Sequence, residues 1–188
     1  MSELADFDFD TPISDVADLV SYLNPANGTH IYAIRYAGPD MTRGDEPKRC
    51  MSLVYQKLGT LELVNPDDVD SPIGSIIKEP FTGNKTGYEI LKLRLTQIFG
   101  KDQMMAAASA GKTFKDMLKQ LNEVGKNEFY VQIVTKIVES TSKKDKKTVY
   151  ENLRILDLQL IPTSDVTIPE GFEFVEYEPA VEEMEMGM

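Results

Sequence analysis

The stretch Glu128 to Ile161, EFYVQIVTKIVESTSKKDKKTVYENLRILDLQLI, decides the fold, because it reads as two long strands joined by a strongly basic loop. In the first strand Phe129, Val131, Ile133, Thr135 and Ile137 share one side, and Tyr130, Gln132, Val134, Lys136 and Val138 share the other. That is a period of two with one apolar and one mixed face. In the second, Val149, Leu153 and Ile155 alternate with Tyr150, Asn152 and Arg154. The alternation then slips, so that Leu156, Leu158 and Leu160 carry the apolar side, and a β-bulge near Leu156 accounts for the slip. Between the strands, Lys143, Lys144, Lys146 and Lys147 fall in a polar run that reads as a solvated hairpin tip. Tyr130, Lys136, Tyr150 and Arg154 share the surface leading to it. Rings interleaved with cations suit a single-stranded nucleic acid, whose bases stack while its phosphates follow the charges. Lysines and tyrosines on edge strands also serve simply to deter aggregation.

Outward from this hairpin, 188 residues with 41% hydrophobic content suffice for one domain with a sizeable core. No apolar run approaches the length of a membrane span, and the acidic start lacks the basic and then apolar pattern of a signal peptide. The sequence therefore predicts a protein that stays in the cytoplasm. One cysteine, Cys50, excludes an intramolecular disulfide, and one Cys with one His, His30, cannot make a zinc site. No cofactor is implied. The net charge of -11 is unevenly placed: residues 1 to 20 and 161 to 188 hold six and eight acids and no base, together -14, so the body between them carries +3.

Before the hairpin, Ser14 caps a short helix with Val16, Leu19, Val20 and Leu23 on one face, so residues 1–24 read as an acidic segment with one outer helix. A strand follows from Thr29 to Ala37, with either alternating set able to face the core. The next loop carries Arg43, Lys48 and Arg49. A second strand runs from Cys50 to Val64 with a kink at Gly59, and a third from about Pro72 to Phe81. From Tyr88 the period becomes helical, with Tyr88, Leu91, Leu95 and Ile98 in a stripe ended by Gly100. A second helix starts at Thr113, with Phe114, Met117, Leu118, Leu121 and Val124 inward and Gly125 closing it. The connection through Met104 to Ala110 is open to either helix or loop.

Two motifs mislead. Asp67, Asp68 and Asp70 lack the glycine and distal glutamate of a calcium loop. Ala-Gly-Lys-Thr at 110 to 113 lacks the first glycine of a phosphate loop, since Ala106 stands there. Neither His30 nor Cys50 lies in a motif that supplies a catalytic partner, so a binding protein is expected and not an enzyme.

Three strands, a helical segment and two strands is the element order of the OB-fold. The expected architecture is mainly β with helices: a five-stranded OB-fold barrel over 25–161, with a two-helix insertion at about 86–125 between strands 3 and 4. The acidic, partly disordered tail is 162–188. In that fold the loops between strands 1 and 2 and between strands 4 and 5 flank the oligonucleotide groove, and here both are basic.

With the basic tip, the strand ending Glu-Asn-Leu-Arg-Ile-Leu-Asp-Leu-Gln-Leu and the acidic tail, the chain resembles the bacteriophage-type single-stranded DNA-binding proteins. The resemblance covers most of the chain in architecture and rests on no invariant motif. It implies sequence-independent coating of single-stranded DNA during replication and recombination, without catalysis. It also implies a tail that recruits replication or recombination proteins, here through Glu178, Glu182, Glu183 and Glu185. The positions that match it in type and placement are Tyr130, Lys136, Tyr150, Arg154 and the tip lysines, with Tyr55 and Lys57 in addition. Family tails commonly finish with an aromatic residue, whereas this one ends Glu-Met-Gly-Met, and no Trp is present for stacking. Homo-oligomer formation stays open, as does a choice between DNA and RNA. From a different class, an acidic OB module that binds another protein, or mimics DNA, fits the charge of the ends.

Overall fold

A computed structural model of the chain describes residues 23–43, 46–125 and 129–180. The expected helix capped by Ser14 lies outside them. Architecture is set by the first strand, β1 (Gly28–Met41), because two neighbours share it: β2 (Arg49–Leu63) pairs along its whole length and β4 (Tyr130–Thr141) along Gly28 to Ala33. Adding β3 (Ile76–Phe81) to β2 and β5 (Val149–Ile161) to β4 gives a five-stranded antiparallel sheet in the order β3-β2-β1-β4-β5.

Bulges bend this sheet. Arg35 is the extra residue of β1 between Ile34 and Tyr36, while Leu58 and Leu61 are extra in β2, on either side of Gly59 where the kink was expected. On β5 the register jumps from Val134 opposite Asp157 to Thr135 opposite Ile155, which leaves Leu156 unpaired as the alternation required. Of the three leucines after the slip, however, only Leu158 is buried; Leu156 and Leu160 are exposed. Gly28 enters β1 where a Cβ would overlap the Glu62 carbonyl oxygen, so the strands approach there only without a side chain.

Three helices, not two, separate β3 from β4: α1 (Lys85–Phe99), α2 (Lys101–Ser109) and α3 (Phe114–Gly125). Asn84 caps α1 by accepting the Gly87 N–H at 2.8 Å. Thr113 and Asp116 cap α3 reciprocally, each side-chain oxygen accepting the other's N–H. Leu91, Leu95, Ile98, Met117, Leu118 and Leu121 face the sheet, where they meet Tyr32, Ile34, Leu53, Tyr55, Val131, Ile133 and Leu158 in the main core. Tyr88, expected in the α1 stripe, is instead half exposed, its ring stacked on Phe114.

The sheet's two edge strands meet through α1. Buried Arg94 donates from Nε to both Glu79 oxygens on β3 at 3.0 Å and from Nη2 to the Ile155 carbonyl on β5 at 2.9 Å. Gln97 adds a bond to Asp157. The forked, always-charged guanidinium suits a position that must reach two strands at once.

The opposite face is covered by the chain after β5. Phe172 and Phe174 pack on Ala33, Leu58 and Tyr130, while Val175 and Tyr177 pack on Tyr36, Val54 and Ile76. Gln56 binds this strap as a neighbouring strand would, donating to the Glu173 carbonyl and accepting the Val175 N–H. Arg35 donates to the Val175 carbonyl with its guanidinium 4.7 Å from the Phe174 ring centre. Tyr177 donates to Asp40 at 2.7 Å, beside the Lys78–Asp40 ion pair. Phe172, Phe174 and Tyr177 thus pin the tail to the sheet. A fully buried ring contributes about 1.5–3 kcal/mol, so three half-buried ones contribute a few kcal/mol in all.

Candidate nucleic-acid interface

β4 outlasts its neighbour. Thr135 is the last residue to pair with β1, opposite Gly28, so Lys136–Thr141 and Val149–Arg154 continue as a two-stranded arm beyond the sheet. Asn27 fixes the root by accepting the Ile137 N–H at 2.6 Å. Within the arm Lys136 stands opposite Arg154, Val138 opposite Asn152 and Ser140 opposite Tyr150, so all six side chains share a face. Glu139 stands opposite Glu151 on the other face. The arm is therefore sided, with cations and a half-exposed tyrosine on one face and acids on the reverse.

Like charges directly opposite one another cost stability. Lys136 and Arg154 are both exposed, and neither has a hydrogen-bond or ion-pair partner among the described residues. An anion between them would relieve the repulsion. Beyond them the tip holds Lys143, Lys144, Lys146 and Lys147, all exposed, on a backbone organised by its single acid. Asp145 accepts the N–H groups of Lys147 and Thr148 at 2.9 Å, together with the Thr148 hydroxyl, and these bonds hold its carboxyl down to about 2. Lys146 takes a left-handed conformation, φ 55°, to close the turn.

Other residues singled out in the sequence fall elsewhere. Tyr130 lies on the same face as Lys136 but is buried under Phe172 and Phe174, so its ring is no platform for a base in this arrangement. Tyr55 and Lys57 are core residues, because central β2 is flanked by strands and covered on both sides. Tyr55 donates to Glu79 at 3.0 Å; Lys57 meets Asp70 at 2.6 Å and donates to the Ser71 carbonyl at 2.9 Å. Burial pushes the Lys57 ammonium down, opposed by Asp70. Arg43 and Lys48 are exposed in the β1–β2 turn and Arg49 is exposed at the start of β2, all at the opposite end of β1 from the arm. The two basic loops flank the sheet from its two ends, and the strap lies on the face toward the β1–β2 end. Glu178 is exposed, while Glu182, Glu183 and Glu185 lie outside the described residues.

Sequence reasoning missed Arg35, Gln56 and Asp40, which hold the strap. Their only signal was polarity inside β-periodic runs, which marks a covered strand or a loop equally well.

Among the described residues no group of three His, Cys, Asp or Glu side chains could hold a metal ion, and no helix is long and apolar enough to cross a membrane. Compared with family models, curated proteins and solved structures, the chain has no match.

Proposed function

We propose that this chain binds single-stranded DNA without sequence preference, through the cationic face of the β4–β5 arm and its four-lysine tip. The observation that carries the proposal is the Lys136–Arg154 cross-strand pair, two like charges opposite each other with no counter-ion among the described residues. Tyr150, on the same face, supplies the ring against which a base stacks. Support also comes from the strand order, which with helices between β3 and β4 and α1 bridging the two edge strands is compatible with an OB-type barrel. On this reading the protein coats single strands in the cytoplasm during replication and recombination, in the manner of the bacteriophage-type proteins it resembles. It acts by binding and not by catalysis, and its acidic end recruits replication or recombination proteins.

Titration of fluorescent oligo-dT and oligo-rU at two salt concentrations tests it. Binding of oligo-dT that weakens with salt is expected. A flat response to oligo-dT at low salt would overturn it and favour the second proposal, a protein-binding module with an acidic surface. For that alternative there is one specific observation: Glu170, Glu173, Glu176 and Glu178 are all exposed along the strap.

A further inference from the structure

The strap runs to the corner where β1 turns into β2. There the last described residue, Ala180, donates its N–H to Asp40 at 3.3 Å, next to the Tyr177 hydroxyl on the same carboxylate. On the β-ladder Asp40 is opposite Cys50, with Pro39 opposite Met51 on one side and Met41 opposite Arg49 on the other. Pro39, Arg49 and Met51 also line a cavity of about 280 Å³, completed by Phe81, Tyr88 and Phe114. The chain is thus fastened to Asp40, whose neighbour Pro39 and ladder partner Cys50 both line the cavity, and the apolar and aromatic walls of that cavity carry one cation, Arg49.

Eight residues follow Ala180: Val-Glu-Glu-Met-Glu-Met-Gly-Met. Fully extended they reach about 26 Å, against the roughly 10 Å between packed layers, so length does not prevent their rounding the corner. Composition matches the cavity. Methionine is unbranched, fills irregular apolar gaps and makes favourable contacts with ring edges, and Tyr88 and Phe114 offer a stacked aromatic pair 5.7 Å apart. Glu182, Glu183 and Glu185 are interspersed with the methionines of this segment in the sequence and are opposite in charge to Arg49, which lines the cavity, and to Lys48, which precedes it in the chain.

We propose that this cavity is the docking site of the chain's own end, with one of Met184, Met186 or Met188 inserted against Tyr88 and Phe114 and the intervening glutamates beside Arg49. Docking covers the β1–β2 turn and leaves the arm as the uncovered basic surface. The proposal stands independently of the nucleic-acid function, because it depends only on the cavity, the point of attachment and the composition of the segment.

The test is NMR of the full-length protein carrying ¹³C-methyl methionine, with the three signals assigned by Met184→Ser, Met186→Ser and Met188→Ser. One methyl should move upfield of the free-methionine position under the ring currents of Tyr88 and Phe114, independently of protein concentration. Tyr88→Leu should move it back, and so should Arg49→Glu by repelling the glutamates, while the core methyl of Met117 reports that the fold is intact. Three methyls at the free position, or a displaced methyl that ignores Tyr88→Leu, would overturn the proposal. A displacement that grows with concentration would also overturn it, because the occupant would then be the end of a second copy.

Discussion

Replacing Lys143, Lys144, Lys146 and Lys147 by alanine removes four exposed cations from a turn whose shape they do not hold, since the closing bonds come from Asp145, Ser142 and Thr148. The fold should therefore survive, and the change should be electrostatic. For single strands log K falls with log salt at about -0.7 per phosphate contact, so four contacts contribute about -2.8 to the slope. Between 50 and 200 mM salt that slope weakens binding by about 50-fold, and adding Lys136 and Arg154 raises the figure to about 300-fold. The assay is fluorescence anisotropy of labelled oligo-dT across that salt range. The quadruple variant should lose most of the slope, retaining the part due to Lys136 and Arg154. An unchanged slope would refute the placement of the strand on the arm and leave the tip as a solvated turn.

Tyr150→Ala should weaken oligo-dT binding by about 1–3 kcal/mol with little change in melting temperature, whereas Tyr130→Ala should destabilise the fold by about 3 kcal/mol with unchanged affinity; the opposite pattern would exchange their roles. Asp70→Asn strands the buried Lys57 and should cost about 3–5 kcal/mol in chemical denaturation, while DNA affinity measured on the folded fraction stays the same. Burial pushes the Asp70 carboxyl up, but bonds from Lys57, Thr60 and the Ala26 N–H outweigh it and hold the group down to about 2. A depressed carboxyl stabilises the fold above its ordinary range, and that contribution, about 2 kcal/mol, should vanish as pH falls from about 4 to 2. Burial also lowers the His30 imidazole, so a further loss should begin as pH drops below the ordinary histidine value of 6.5; stability flat from pH 7 to 3 would contradict both. Neutralising Glu182, Glu183 and Glu185 to Gln should leave single-strand binding on the arm unchanged, because the docked end lies at the β1–β2 turn; a tightening at low salt that disappears as salt screens the attraction would place these glutamates over the arm instead.

What the sequence made legible was whatever local periodicity controls. The β4 and β5 alternation, the slip at Leu156, the kink near Gly59 and the start of α3 at Thr113 all follow from neighbours a few residues apart, and each stands in the structure. Burial of Tyr130 was not legible in this way, because alternation separates two faces but does not say which is later covered from a distance. The residues that cover it, Phe172 and Phe174, arrive from more than forty positions along the chain. Lys57 shows the same limit: an exposed and a buried lysine look alike until Asp70 closes over one of them.

The strap also explains why the arm carries the proposed site. A sheet face that held Arg35, Gln56 and Tyr36 open to solvent would offer a cation, an amide and a ring to a passing strand. Here each is engaged by the chain itself: Arg35 by the Val175 carbonyl and the Phe174 ring, Gln56 by two strap backbone groups, and Tyr36 by the Tyr177 ring, centroids 5.1 Å apart. Displacing them would expose several aromatic groups at once, a cost of several kcal/mol that one or two stacked bases at about 1–3 kcal/mol each would not readily offset. The arm imposes no such cost, because its cations already stand in solvent and oppose one another. A strand that binds there gains the phosphate contacts and relieves the Lys136–Arg154 repulsion without first undoing any part of the fold.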